Sequence, residues 1–126
     1  MASAPLSSDQ LVGILRDTIV ALVRRDGVDL SARQLGVFLT CYLTEGGHTV
    51  RGLAQDLNVS KPAITRALDR LSELDFVRRK VDPSDRRSVL VQRTVKGAAF
   101  LRETRHIMTD ALAANKTESS SRRSAG

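Results

Sequence analysis

Apolar residues recur along this chain at helical spacing in several separate runs, divided by polar or glycine-rich breaks. The first run is Leu11, Ile14, Leu15, Thr18, Ile19, Leu22 and Val23, opened by Ser7 with Gln10 three residues later, the pattern of a capping box. It predicts a helix ending near Asp26-Gly27. Ser31 with Gln34 opens a second helix, whose stripe is Leu35, Phe38, Leu39, Tyr42 and Leu43 and which Gly46-Gly47 stops. His48, Thr49 and Val50 suit a minor strand. A short helix over residues 51–58 then packs Leu53, Ala54 and Leu57. A longer one runs from Ser60 to about Asp75, with Pro62 tolerated in its first turn and Ile64, Ala67, Leu68, Leu71 and Leu74 facing inward.

After Asp75 the pattern turns β-rich. Phe76 to Val81 and Ser88 to Arg93 read as two short strands around Asp82-Pro83-Ser84-Asp85-Arg86-Arg87, a hairpin with a charged tip. Thr94 to about Ala114 forms a last amphipathic helix, with Phe100, Ile107 and Ala111 on one side and Leu101, Met108 and Leu112 beside them. Periodicity is lost from Asn115, and composition predicts a disordered polar tail over residues 115–126, with residues 1–6 flexible at the other end. The expected fold is mainly α with a small β-hairpin, a single domain over residues 7–114. Its parts are helix one (7–27), a helix-turn-helix with a hairpin behind it (31–97) and a C-terminal helix (94–114).

Charge sharpens this outline. The 126 residues hold 20 Lys and Arg against 14 Asp and Glu, a net +6, and by segment the balance is −1 over residues 1–50, +6 over 51–105 and +1 over 106–126. A charge concentrated in the middle of the chain predicts a basic working surface there and a polyanionic partner. Other classes are excluded. One cysteine, Cys41, forms no disulfide framework, and two distant histidines, His48 and His106, do not make a zinc site, so no metal or cofactor is expected. No run approaches the ~20 apolar residues that span a bilayer, and Met1 to Gln10 lacks the features of a signal peptide, so a cytoplasmic protein is expected. No Gly-rich phosphate loop and no nucleophile with a base nearby point to an enzyme. Cys41, on an apolar helix, is expected to be a buried, inert thiol.

The short helix, polar break and longer helix between residues 51 and 75 fit a helix-turn-helix: Ala54 permits close crossing, Asn58 turns the chain, Val59 fills the gap beneath the turn, and Ile64 and Ala67 complete the seam. The second helix then projects Ser60, Lys61, Thr65 and Arg66 outward, toward a DNA major groove about 12 Å wide. The hairpin that follows makes this a winged helix, and an arginine at its tip, Arg86 or Arg87, suits the narrow minor groove. Asp82 and Asp85 either orient those guanidinium groups or simply pair with them on a solvated turn. Lys61, Arg78, Arg79 and Lys80 are candidate phosphate contacts.

The run TVRGLAQDLNVSKPAITRALDRLSELDFVRRKVDPSDRRSVLVQRTVKG, from Thr49 to Gly97, resembles the winged-helix core of the MarR family of bacterial transcription factors, most specifically in DPSDRRSVLVQRTVKG. The resemblance implies a homodimer on a pseudo-palindromic double-stranded DNA operator, usually acting as a repressor, nucleoid-associated when bound, with helices from both chain ends at the dimer contact. It places Ser60, Lys61, Pro62, Thr65, Arg66 and Arg70 on or near the recognition surface. Arg86, with Arg87 as the close alternative, becomes the minor-groove arginine, positioned by Asp82 or Asp85. Similar members follow the wing with two long helices; the single shorter one expected here implies a reduced or rebuilt dimer contact and an absent or incomplete pocket for a small-molecule effector. The competing reading is a winged-helix protein-interaction module, favoured by Asp69, Glu73 and Asp75 on the second helix.

Overall fold

A computed structural model describes residues 4–25 and 28–125, with side chains to residue 116. The expected helix stop at Asp26-Gly27, residues 1–3 of the expected flexible start and Gly126 lie outside the described residues. The element order is α1 (Ser8–Arg24), α2 (Ala32–Leu43), β1 (His48–Thr49), α3 (Val50–Leu57), α4 (Lys61–Glu73), β2 (Val77–Asp82), β3 (Asp85–Arg93) and α5 (Val95–Ala125). The three strands form one antiparallel sheet in the order β1-β3-β2. The chain divides into two compact units, Leu30–Leu101 and the two terminal segments outside it.

The larger unit is the winged helix. Both predicted capping boxes form, and that at Ser31 and Gln34 starts α2. Phe38, Leu53, Ile64, Leu68 and Leu71 are fully buried at its centre. The chain's three phenylalanines and its one tyrosine gather in one cluster, with ring centroids 4.5 Å apart for Phe38–Tyr42, 4.6 Å for Phe76–Phe100 and 5.3 Å for Phe38–Phe100. A chain poor in aromatic residues thus spends all of them on the place where α2, β2 and the start of α5 meet.

The Tyr42 hydroxyl ties that place together. It donates to the Phe76 carbonyl at 2.6 Å and accepts from the Thr94 N–H at 3.0 Å. Thr94 in turn donates its hydroxyl to the Asp75 carbonyl at 2.6 Å and caps α5 by accepting from the Gly97 N–H at 2.9 Å. A Cβ on Gly97 would collide with the Tyr42 hydroxyl and the Phe76 carbonyl, so the residue must be glycine for the hairpin to close on α5. Arg93, the last residue of β3, donates to the carbonyls of Cys41 at 2.8 Å and Thr44 at 3.2 Å, satisfying the open end of α2. The hairpin is thereby anchored at its base.

The other unit contains α1 and the later part of α5. Asn115, placed by the sequence reading in the polar tail, is buried: its amide donates to Asp17 and to the Ala111 carbonyl, both at 2.8 Å, and its side-chain oxygen lies against Gly13. The helical backbone continues to Ala125, past the expected end at Ala114, because no Gly or Pro interrupts residues 98–125. Composition pointed to a tail where nothing breaks a helix. The α1 stripe splits: Ile14 and Thr18 are buried, while Leu11, Leu15, Ile19 and Val23 are exposed.

Candidate nucleic-acid interface

The helix-turn-helix is built by its caps. Thr49 accepts the Gly52 N–H at 3.0 Å and starts α3 one residue earlier than predicted. The helix ends on Asn58 in the left-handed region (φ 54°), a conformation that asparagine tolerates better than most residues, and Val59 N–H returns to the Ala54 carbonyl at 3.0 Å. Ser60 then accepts the Ala63 N–H at 3.2 Å and caps α4, whose first turn holds Pro62. Because Ile64, Ala67, Leu68 and Leu71 are buried, the opposite positions Lys61, Pro62, Thr65 and Arg66 are exposed together. This is the face the sequence indicated.

The wing differs from expectation in its tip. The strands extend through Asp82 and from Asp85, which pair across a two-residue turn of Pro83 and Ser84, with an irregularity between Val81 and Asp82. Arg86 and Arg87 therefore lie in β3, not at the tip. Neither aspartate orients an arginine side chain: Asp82 accepts the Ser84 N–H at 2.9 Å and its hydroxyl at 2.8 Å, and Asp85 accepts the Arg87 N–H at 3.1 Å and the Ser88 hydroxyl at 3.1 Å. The short carboxylates bond locally to the turn backbone instead of reaching out to a guanidinium. The Ser84 hydrogen bonds hold the Asp82 carboxyl below its ordinary pKa.

Charge divides this face in two. Asp69 pairs with Arg79 at 2.8 Å, Glu73 with Arg70 at 3.4 Å, and Asp75 with Arg78 at 3.4 Å. The acidic residues of the recognition helix and its end are thus matched by three of the candidate cations, including Arg70. Lys61, Arg66, Lys80, Arg86 and Arg87 have no ion-pair partner among the described residues, and all five are exposed.

Two of them line one cleft. Its volume is about 230 Å³, and Thr49, Arg51, Lys61, Thr65, Arg87 and Ser88 form most of its wall. The structure thus brings Lys61 and Thr65 of α4 beside Arg87 of β3; Arg86, the residue before it, is not in the wall. Arg51, absent from the sequence-based candidates, joins them. The signal that could have found it is its place as the first cation of the basic segment, two residues after the cap Thr49. Cys41 is buried, and burial pushes its thiol up to about 11 against a smaller opposing pull from Arg93. Such a thiol is protonated and unreactive at neutral pH. Among the described residues, no group of His, Cys, Asp and Glu could hold a metal ion, and no helix is long and apolar enough to cross a membrane.

Comparison with known proteins agrees with this geometry. The MarR family model matches residues 30–89. An HTH-type transcriptional regulator of Mycobacterium bovis is 31% identical over 112 residues, covering 89% of this chain and 78% of the relative, and one of Mycobacterium leprae is 32% identical over 104 residues, covering 82% and 72%. Among solved structures, a cysteine-to-serine mutant of MarR from E. coli complexed with operator DNA superposes with a TM-score of 0.64 at 28% identity, covering 88% of this chain and 75% of that one. An S. aureus MepR mutant shares the fold at a TM-score of 0.71 and 17% identity, covering 90% and 85%. Helix-turn-helix, wing and relatives converge: this chain belongs to the MarR family of DNA-binding, helix-turn-helix transcriptional regulators.

Proposed function

We propose that this regulator is a homodimeric repressor that binds a pseudo-palindromic operator through the first half of α4 and the cleft-facing side of β3. The observation that carries the reading is the set of exposed cations and hydroxyls at Lys61, Thr65, Arg66 and Arg87, on the N-terminal side of α4 from acids that are already matched. Thr65 and Arg66 project from α4 as base readers, Lys61 meets phosphate, and Ser60 and Pro62 set the helix start. Arg87 serves as the groove-reading arginine of the wing, with Arg86 beside it on the strand. Asp82 and Asp85 shape the turn that presents them. The match to an operator-bound MarR supports DNA as the partner.

Dimerisation is supported by the α1 face that the folded chain leaves uncovered. Leu11, Leu15 and Ile19 recur every four residues and are each about half exposed, with Val12 and Val23 alongside. Exposed apolar rows of this kind mark association surfaces, and a second copy of the same helix is self-complementary to it. The protein-docking reading loses its support, because Asp69, Glu73 and Asp75 are neutralised within the chain. The protein acts in the cytoplasm without catalysing a reaction.

The test is selection of bound duplexes from a random pool by the purified protein, with light scattering of the same sample. The expected outcome is a convergent palindrome with half-sites about one helical turn apart, roughly 10 bp, bound by a dimer. A pool that fails to converge, or an asymmetric single half-site bound by a monomer, overturns the reading.

A further inference from the structure

The cleft between α3, α4 and β3 has a chemistry that base reading does not explain. Three of its wall residues are cations, Arg51, Lys61 and Arg87, each from a different element, and no carboxylate is among the residues that line it. Three like charges around an opening of about 230 Å³, unpaired among the described residues, give it a positive potential that favours an anion. Arg51 and Lys61 also sit in the first turns of α3 and α4, where the helix dipoles add partial positive charge to the same opening. Arg51 is exposed, contributes nothing to the core, and lies on α3 rather than on the base-reading helix α4.

We infer that this cleft seats a backbone phosphate of the bound duplex, with Arg51 as a positioning residue that fixes the register of α4 in the groove without reading a base. The inference rests on the operator-binding reading above. A phosphodiester carries one negative charge and two acceptor oxygens, which suits a guanidinium on one side and the Lys61 ammonium on the other. Engaging it locks the start of α3 to the strand from outside the groove, while Arg87, its backbone N–H bonded to Asp85, adds positive charge to the cleft wall and leaves its guanidinium to the groove. Free inorganic phosphate offers the same chemistry, and the experiment separates the two sources.

Affinities of the wild type, Arg51→Gln and Arg51→Lys for the selected operator and for a scrambled duplex are measured from 50 to 200 mM salt. Loss of one phosphate contact lowers the slope of log affinity against log salt by about 0.9 per bound subunit, so Arg51→Gln loses roughly fourfold less affinity per subunit than the wild type across that range. The operator-to-scrambled ratio falls little, Arg51→Lys restores the slope, and one neutral methylphosphonate per half-site reproduces the Arg51→Gln effect without adding to it. An unchanged slope in Arg51→Gln overturns the inference. So does sensitivity to inorganic phosphate at constant ionic strength that Arg51→Gln removes without any methylphosphonate position reproducing the loss, since the cleft then takes the free ion. If the wild type itself binds no duplex selectively, the operator reading fails first.

Discussion

The two halves of α4 belong to one helix and carry similar numbers of polar residues, yet they are electrostatically different. Its first half presents Lys61, Thr65 and Arg66 to solvent with no ion-pair partner among the described residues, and Arg51 and Arg87 stand beside it. Its second half holds Asp69 and Glu73 in pairs with Arg79 and Arg70, and just beyond it Asp75 holds Arg78. Summed over the helix the charge is only +1, three cations against two acids, whereas the arrangement puts the unmatched cations at one end. The matched end can lie near the phosphates without repelling them, and the unmatched end supplies the attraction. Net charge along the chain therefore locates the binding surface only to a segment, and ion pairing locates it to one end of a helix.

The largest expected effect tests the unmatched end. Arg87→Ala and Arg66→Ala should each weaken operator binding by about 1–3 kcal/mol, roughly five- to 150-fold, in a quantitative gel shift. Arg86→Ala should cost less, because Arg86 does not face the cleft. The opposite order between Arg86 and Arg87 would move the wing's reading role to Arg86. A smaller effect is expected at the matched end. Asp69→Ala breaks a surface pair that is about half exposed on the aspartate side, so stability measured by urea unfolding should change by less than about 1 kcal/mol. The freed Arg79 should raise affinity for operator and scrambled duplex alike; a large loss of operator affinity instead would mean that this end also docks.

The smallest effect concerns the turn that carries the wing. Asp82 has a depressed carboxyl pKa chiefly through the Ser84 hydroxyl, so its contribution is present above the ordinary value near 3.8 and is lost as pH falls through the depressed value. Ser84→Ala should raise the Asp82 titration toward 3.8 in a carboxyl-detected NMR pH series, while operator affinity at neutral pH changes little. No upward movement would show that the hydroxyl bond is not the cause.

Much of this was legible in the sequence because it rests on local rules. Ser7-Gln10, Ser31-Gln34, Ser60 and Asn58 each act within four residues, and each does what its pattern indicates. The resemblance carried by DPSDRRSVLVQRTVKG acquires a physical basis in Thr94 and Gly97, which close the hairpin on Tyr42. What was not legible depends on partners distant in sequence. That Arg79 belongs to Asp69 follows from the packing of β2 beside α4, and that Arg51 belongs with Arg87 follows from a strand arriving 36 positions later. Arg86 and Arg87 look like loop residues by charge, yet β3 begins at Asp85 and runs through them as an exposed bulge between the Val81–Val89 and Asp82–Asp85 pairs.

The most direct test of the division within α4 is amide chemical-shift mapping of the full-length protein titrated with its selected operator duplex. Large shifts are expected at Thr49–Arg51, Ser60–Arg66 and Arg86–Val89, with Asp69–Asp75 nearly still. Shifts centred on Asp69–Asp75, with Lys61, Arg66 and Arg87 unmoved, would contradict it.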